Sequence, residues 1–186
     1  TGVLYVRPGF EDRLATMKEG GTGTVSERPT QPTTMPDKFE VGSHNAVGIA
    51  GLTAGVRWVL GRGVDALREH DRRLCEAFQA AAGGIDALTV YGPGAPDRRT
   101  GVFSVNLTGL SAAELAAELE RGFGILTRPG IHCAPFAHQT IGTLPEGTCR
   151  LSFGPFTRVE DVEYAAEALR TLARRACRPG LSRRAV

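Results

Sequence analysis

Glycine and proline punctuate the stretch from Pro8 to Ser43 so densely that no long helix or strand can form there. The stretch contains the run Gly20-Gly21-Thr22-Gly23 and the prolines Pro29, Pro32 and Pro36. Proline removes a backbone donor, and glycine loses the most conformational entropy when it enters a regular element. Only one helical turn, near Arg13–Lys18, is compatible with the pattern. A loop of this length inside a compact protein is usually functional or disordered, so we treat it as a candidate functional loop.

Residues 2–6, which precede this loop, alternate small, branched and aromatic apolar side chains. The pattern predicts a buried β-strand. The chain therefore opens inside a strand, without an initiator methionine or a lead-in segment. A natural domain rarely begins in this way, and we expect a truncation or a partial reading frame.

Apolar residues recur at helical spacing from Asn45 to Ala82. They predict one long helix or two helices in tandem, because Gly61 and Gly63 weaken the middle of the run. The pair Gly83-Gly84 predicts the end of the helical region, since glycine readily adopts the left-handed conformation found after many helices.

The rest of the chain predicts a β-β-α-β-β-α module. Its strands are expected at residues 88–91, 102–107, 125–127 and 150–153. Two capping-box patterns, Ser111 with Glu114 and Thr157 with Glu160, mark the starts of its helices. The first helix is expected to close near Gly122, and a loop from Pro129 to Gly147 separates the last two strands. This order indicates an α/β sandwich with the helices on one face of a small sheet.

Charge and cysteine content narrow the classes of protein. The net charge is only +2, which gives no strong field toward nucleic acid or a membrane surface. The N-terminus has no signal-peptide pattern, and no apolar run approaches the roughly 18–20 residues of a membrane span. The four cysteines, Cys75, Cys133, Cys149 and Cys177, form no CxxC pair and no disulfide framework. We expect a reduced, cytoplasmic protein without nucleic-acid or membrane partners.

The densest polar cluster surrounds Cys133. It reads Arg128-Pro-Gly-Ile-His132-Cys133-Ala-Pro-Phe-Ala-His138, and Arg150 follows on the next predicted strand. A loop cysteine beside an imidazole and a guanidinium is placed where a thiolate is stabilised and exposed. His138 is expected to order the loop. From the residues alone, three alternatives stay open: a buried inert thiol, a zinc site of His132, Cys133 and His138, and a Cys-His hydrolase.

Several sequence words occur in the order typical of cysteine desulfurases and selenocysteine lyases. They are the opening Thr1–Val6, Gly20–Gly23, Gln31-Pro32, Phe39-Glu40-x-Gly42-Ser43-x-Asn45, Gly48–Leu52, Arg128-x-Gly-x-His-Cys133-Ala-Pro, Gly142-Thr143, Gly147-Thr-x-Arg150-x-Ser152 and Phe156-Thr157. As far as about Ala176, the chain resembles this branch of the class V aminotransferases. The resemblance implies the C-terminal part of a fold-type-I pyridoxal-phosphate enzyme.

The resemblance also implies the domain boundaries. Residues 1–44 would be the end of the large pyridoxal-phosphate domain, comprising its last strand and the active-site loop. Residues 45–84 would be the long connecting helix, and residues 85–178 the small C-terminal α/β sandwich domain. Residues 179–186 would be a tail.

Three residues have implied roles at the substrate. Cys133 corresponds to the nucleophile that takes the sulfur of L-cysteine as a persulfide while L-alanine is released. Arg150 corresponds to the residue that binds the substrate carboxylate, for which a planar guanidinium offers two parallel hydrogen bonds. Arg128 matches a substrate-binding position beside the active-site loop, where it would order the loop or favour the thiolate.

The implied cofactor is pyridoxal 5′-phosphate, bound in a homodimer whose sites combine both subunits. Ser43 stands where the family has a threonine that binds the cofactor phosphate, although its hydroxyl would also suit a helix N-cap. Gly23 belongs to the glycine run that brings backbone near the cofactor. The lysine that carries the cofactor precedes the opening strand in the family, and Lys18 and Lys38 do not occupy its position. No metal is implied.

The implied activity of a complete protein is removal of sulfur from L-cysteine, or of selenium from selenocysteine, with a sulfur-acceptor protein as a further partner. The chain alone lacks the cofactor lysine, so we expect it to be inactive. Two alternatives stay open. One is another class V aminotransferase or lyase in which Cys133 is incidental, and the other is an inactive fragment that acts only as a binding module.

Overall fold

Packing divides the computed structural model, which describes residues 1–25 and 27–176, into two units. The first is Thr1–Arg62 and the second begins at Gly63. This division is one of contacts within the chain, and the boundaries expected at residues 44 and 84 stay a prediction. Cys177 and the expected tail at residues 179–186 lie outside the described residues.

The first unit is irregular chain followed by one helix. Its described residues contain short 3₁₀ turns at Glu11–Arg13 and Asp37–Phe39 and helix α1 at Ala46–Arg62. Residues 2–6 differ from the predicted buried strand, because they form no strand and Leu4 and Tyr5 are 66% and 79% exposed. A strand needs a neighbour for its backbone hydrogen bonds and its apolar side chains, and no strand among the described residues pairs with this one.

Side chains rather than regular structure hold the long loop of the first unit. Gln31 Nε2 donates to the carbonyl of Asp37 at 2.8 Å, and Gln31 Oε1 accepts from the amide of Gly20 at 3.1 Å. The buried Lys38 donates from Nζ to the carbonyl of Glu11 at 2.6 Å. The loop is thus ordered by polar contacts to its own backbone.

Two helices in tandem form the predicted helical region. Asn45 caps α1, since its Oδ1 accepts from the amide of Gly48 at 2.9 Å. Gly63, with φ +84°, separates α1 from helix α2 at Val64–Ala82. A left-handed residue cannot continue a right-handed helix, so this glycine makes the break. No residue of α1 is buried.

The second unit builds one antiparallel sheet. Besides α2 its elements are β1 (Leu88–Tyr91), β2 (Val102–Leu107), α3 (Ala112–Phe123), β3 (Arg128–Gly130), α4 (Pro135–Thr140), β4 (Thr148–Ser152) and α5 (Val159–Ala176). The strand order is β1-β2-β4-β3, and every pairing is antiparallel. The predicted positions of β1 and β2 are confirmed. β3 lies three residues beyond the predicted strand at 125–127, and the short helix α4 was not predicted.

The core lies on one face of this sheet. In β2 the alternate residues Phe103, Val105 and Leu107 are buried, while Ser104 and Asn106 on the other face are only half-buried. The Phe78 ring of α2 packs on Phe103 with the ring centroids 4.3 Å apart. Residues of α2, α3 and α5 fill the rest of the core. The opposite face of the sheet is therefore left for polar side chains.

One of the two predicted capping boxes is confirmed. Ser111 Oγ accepts from the amide of Glu114 at 3.2 Å, and the Glu114 carboxylate accepts from the amide of Ser111 at 2.8 Å. The other prediction was wrong. Thr157 Oγ1 accepts from the amide of Gly154 at 2.9 Å, because it closes the turn before α5 rather than capping the helix. The α3 helix ends at Phe123 and is capped by Gly124, with φ +67°, two residues beyond the expected Gly122.

Candidate active site

Two arginines lie side by side on the polar face of the sheet. Arg128 of β3 is the direct cross-strand partner of Arg150 of β4, and Ser104 of β2 faces Arg150 from the other side. Directly opposed residues of antiparallel strands point to the same face. Like charges in that arrangement repel each other, and a bound anion would remove the cost. Arg150 Nε is buried without a hydrogen-bond partner among the described residues.

Cys133 sits at the tip of a strained turn that follows β3. Its φ is +61° and that of His132 is +52°, so two consecutive non-glycine residues adopt the left-handed region. Each such residue costs on the order of 1–2 kcal/mol, which the surrounding contacts must offset. The amide of Ala134 donates to the carbonyl of Ile131 at 2.8 Å and closes the turn. The turn leaves the Cys133 thiol exposed.

His132 ties the turn to the backbone of β3. Its Nε2–H donates to the carbonyl of Arg128 at 2.8 Å. Burial lowers the pKa of His132 below its ordinary value, and the positive charges of Arg150 and Arg128 lower it further. The lowered pKa favours the uncharged imidazole, and the bond to the carbonyl requires Nε2 to carry the proton.

The other described cysteines differ from Cys133 in their surroundings. Cys75 and Cys149 are fully buried, and burial raises the pKa of both thiols. An exposed thiol in a loop excludes the alternative in which Cys133 is a buried inert residue. For the zinc alternative, His132, Cys133 and His138 are among the described residues, and no three acidic, histidine or cysteine side chains there could hold a metal ion.

Sequence reasoning missed two residues that hold the loop behind Cys133. Gly147 packs so closely on the Gly130–Ile131 peptide that a Cβ there would clash with the carbonyl group of Gly130. Asn106 Nδ2 donates to the carbonyl of Gly147 at 3.2 Å. Two sequence signals could have identified them. Gly147 lies inside one of the motif words, and Asn106 is a polar residue on strand β2, where apolar and polar residues alternate.

The residues expected at the cofactor belong to the first unit. Ser43 is exposed, and Asn45 rather than Ser43 caps α1. Gly23 is exposed in the loop with φ +71°, a conformation that favours glycine. The structure thus brings Arg128, Arg150 and the Cys133 turn together in the second unit, whereas Ser43 and Gly23 lie in the other.

Comparison with known proteins identifies the family. The sequence pattern of the family described as Aminotransferase class-V matches residues 1–165. The chain belongs to the class V aminotransferase family. The chain is 31% identical over 181 residues to a probable cysteine desulfurase of Pyrococcus abyssi, covering 93% of this chain and 43% of that protein. It is also 31% identical over 174 residues to a cysteine desulfurase of an Enterobacter species, covering 92% of this chain and 41% of that protein.

A solved structure is similar along nearly the same range. The apo cysteine desulfurase of Thermococcus onnurineus matches with a TM-score of 0.82 and 29% identity, covering 91% of this chain and 42% of that one. The chain therefore spans about two fifths of the length of the relatives that it matches. The resemblance carried by the motif words is confirmed, and so is the C-terminal part of a fold-type-I enzyme as the fold class. No helix of the described residues is long and apolar enough to cross a membrane.

The family implies pyridoxal phosphate, and the two lysines test whether this chain can attach it covalently. Lys38 is buried and its ammonium group is bound to the carbonyl of Glu11. Lys18 is exposed at the edge of a cavity of about 550 Å³ lined largely by Leu4, Leu14, Met17 and Phe39. The sequence resemblance places neither lysine at the family's cofactor position. These residues do not fit covalent attachment of the cofactor.

Proposed function

We propose that this chain is the sulfur-accepting and carboxylate-binding part of a pyridoxal-phosphate-dependent cysteine desulfurase. The complete enzyme converts L-cysteine to L-alanine and retains the sulfur on Cys133 as a persulfide. The observation that carries the proposal is an exposed thiol on a strained turn, which His132 ties to the backbone of Arg128, the cross-strand partner of Arg150. A thiol nucleophile and a carboxylate-binding arginine are two of the groups that the protein supplies for sulfur abstraction from an amino acid.

Arg150 binds the substrate carboxylate in this proposal. Its guanidinium is half-buried beside Ser104 and Arg128, and its Nε lacks a partner within the described residues. A carboxylate can accept two parallel hydrogen bonds from a guanidinium and offset the repulsion between the two arginines. Arg128 adds positive charge to the same face and holds the Cys133 turn through its carbonyl. An amino acid whose carboxylate is bound by Arg150 would keep its side chain free to approach the loop that carries Cys133.

Cys133 carries out the sulfur transfer. Its thiolate attacks the sulfur of L-cysteine, so that a new S–S bond forms on Cys133 while the C–S bond of the substrate breaks. The electron pair of that bond stays with carbon, where a proton takes the place of sulfur and gives L-alanine. The attack uses the thiolate form of Cys133, whose thiol is exposed.

Pyridoxal phosphate, when bound, withdraws electrons from the substrate carbons, and the protein must orient it. Ser43 and Gly23 are the proposed contacts to the cofactor, in a homodimer whose sites combine both subunits. The lysine that attaches the cofactor would come from the part of the relatives that this chain does not span. Selenocysteine as a second substrate, an acceptor protein for the persulfide and a cytoplasmic location belong to the same proposal.

The test measures alanine and sulfide released from L-cysteine by the complete enzyme with and without Cys133→Ser. We expect the variant to lose at least about a hundredfold in turnover, because its hydroxyl is a poor nucleophile at neutral pH. Cys75→Ala is the matched control and keeps turnover once its folded fraction is measured. Unchanged alanine release with Cys133→Ser would favour another class V reaction in which the cysteine is incidental.

Arg150→Lys tests the carboxylate role separately. One ammonium group cannot reproduce two parallel hydrogen bonds, and losing a hydrogen bond to a charged group costs about 1.5–3 kcal/mol. We expect KM for L-cysteine to rise at least about tenfold. Arg121→Lys, at an exposed helical position, is the control. An unchanged KM with Arg150→Lys would contradict the role.

A further inference from the structure

A buried imidazole behind the Cys133 turn has no part in the sulfur transfer described above. His138, on α4, is only 4% exposed. Its Nδ1 lies 2.7 Å from Thr143 Oγ1, and Thr143 is buried as well. Its ring centroid is 5.9 Å from that of His132. A buried hydrogen bond between two side chains fixes the local conformation, because breaking it would leave two buried polar groups without a partner.

The pair belongs to a closed ring of contacts that starts and ends beside Cys133. The amide of His138 donates to the carbonyl of Ala134 at 3.2 Å, and the amide of Thr143 donates to the carbonyl of His138 at 2.9 Å. The amide of Gly147 then donates to the carbonyl of Thr143 at 2.7 Å. Gly147 in turn packs against the peptide that follows Gly130, at the base of the turn.

His138 with Thr143 is the side-chain pair within this ring, and the remaining links are backbone contacts. The turn itself is strained, since His132 and Cys133 both have positive φ. A strained conformation persists only where the surrounding structure determines it. The side-chain bond joins the same two residues as the bond from the Thr143 amide to the His138 carbonyl and reinforces that link. Removing the side-chain bond would weaken the link and let His132 and Cys133 relax toward ordinary backbone angles, which would move the thiol.

We propose that His138, acting through Thr143, is a positioning residue that holds the Cys133 thiol in line with the substrate sulfur. The inference rests on the proposed function, because it assigns Cys133 as the nucleophile. It assigns no proton transfer to His138 and no contact with substrate. The imidazole acts by fixing the backbone conformation of the turn.

The first test uses this chain and measures amide hydrogen exchange at Ala134, whose N–H closes the turn. His138→Leu removes the hydrogen bond, whereas His138→Asn retains a nitrogen or oxygen near the position of Nδ1. We expect exchange at Ala134 to become at least about tenfold faster in His138→Leu and to return to within about threefold of the original in His138→Asn. Equal exchange in all three proteins would overturn the proposal.

The second test separates positioning from reactivity. Iodoacetamide diffuses freely and reacts with the thiolate of an exposed cysteine without needing its alignment to a bound substrate, so alkylation of Cys133 should change by less than about twofold in His138→Leu. Turnover in the complete enzyme needs an aligned thiol, and misplacement by about an ångström can reduce a rate about a hundredfold. We therefore expect kcat to fall by about tenfold to a hundredfold, and KM to change by less than about threefold. Unchanged kcat would overturn the proposal.

A second pair of variants covers the case in which His138→Leu does not fold. Thr143→Val removes the hydroxyl with almost no change of shape, and Thr143→Ser keeps it. The valine variant should reproduce the loss of kcat and the faster exchange, and the serine variant should not. Equal losses in both would show that the hydroxyl is not the cause. If Cys133→Ser leaves turnover intact, the proposed function fails, while the exchange result still decides whether the pair holds the turn.

Discussion

The two units of this chain treat their apolar residues in opposite ways. In the second unit, Phe78 and Phe103 are fully buried between α2 and the sheet. In the first unit, no described apolar residue is buried, and Val47 and Leu60 of α1 are 85% and 70% exposed. The buried side chain of the first unit is Lys38, which is bound to a carbonyl.

The two units are therefore stabilised by different kinds of interaction. Burial of apolar surface contributes about 25 cal/mol per Å², so a core of large side chains dominates the stability of the second unit. A hydrogen bond contributes only about 0.5–1.5 kcal/mol net, and such bonds are what holds the loop of the first unit. Unfolding of the chain should therefore report the second unit almost alone. The following predictions test this contrast, in order of decreasing effect.

Phe78→Ala should lower the free energy of unfolding of the second unit by about 3–5 kcal/mol, because it leaves a cavity in the core. Leu60→Ala, the matched change in α1, should alter it by less than about 0.5 kcal/mol, as for an exposed site. Urea unfolding followed by circular dichroism measures both. A loss of several kcal/mol in the free energy of unfolding with Leu60→Ala would show that α1 is packed, and would contradict the difference between the two units.

Gly147→Ala should cost about 2–4 kcal/mol, since it adds backbone strain at φ +77° to a clash with the Gly130–Ile131 peptide. Gly142→Ala is the control, with φ +71° and open space around it, and should cost about 1–2 kcal/mol. Gly23→Ala has the same strain in the first unit and should leave the main unfolding transition in place. Equal effects of Gly147→Ala and Gly142→Ala would contradict the close contact.

Ser111→Ala should cost about 1 kcal/mol in the unfolding of the second unit, because it removes the cap of α3. Asn45→Ala removes the equivalent cap of α1. Its effect should be confined to the first unit and appear in the fluorescence of Trp58 on α1. A common shift of both transitions would mean that the units unfold together.

The smallest effect should be a pH dependence from His132. Its pKa is lowered in the folded chain, chiefly by burial, so the unfolded chain binds the proton more readily. The free energy of unfolding should fall as pH drops from about 6.5 through the lowered pKa and then level off. His132→Asn should flatten this part of the curve relative to the original chain. A steeper pH dependence of the free energy of unfolding in His132→Asn than in the original chain would contradict this prediction.

Sequence patterns predicted the parts of the fold that depend on near neighbours. Alternation placed β1 and β2, and the Ser111 capping box placed the start of α3. Glycines predicted the irregular loop and the weakness at Gly63. The ordered motif words identified the family and singled out Cys133, Arg128 and Arg150. Residue types and spacing are sufficient for these inferences because each rests on a few adjacent positions.

Tertiary structure alone decided which distant residues meet. The register of β3 on β4 set Arg128 beside Arg150, and the fold set Gly147 against the Gly130–Ile131 peptide at the base of the Cys133 turn. It also left residues 2–6 exposed, although their pattern favours a strand. Strand pairing and burial depend on which surfaces come together, and side-chain spacing along one segment does not encode its partner. The residues of the Cys133 turn and of the arginine pair could therefore be identified from the sequence, whereas their arrangement was decided by the tertiary structure.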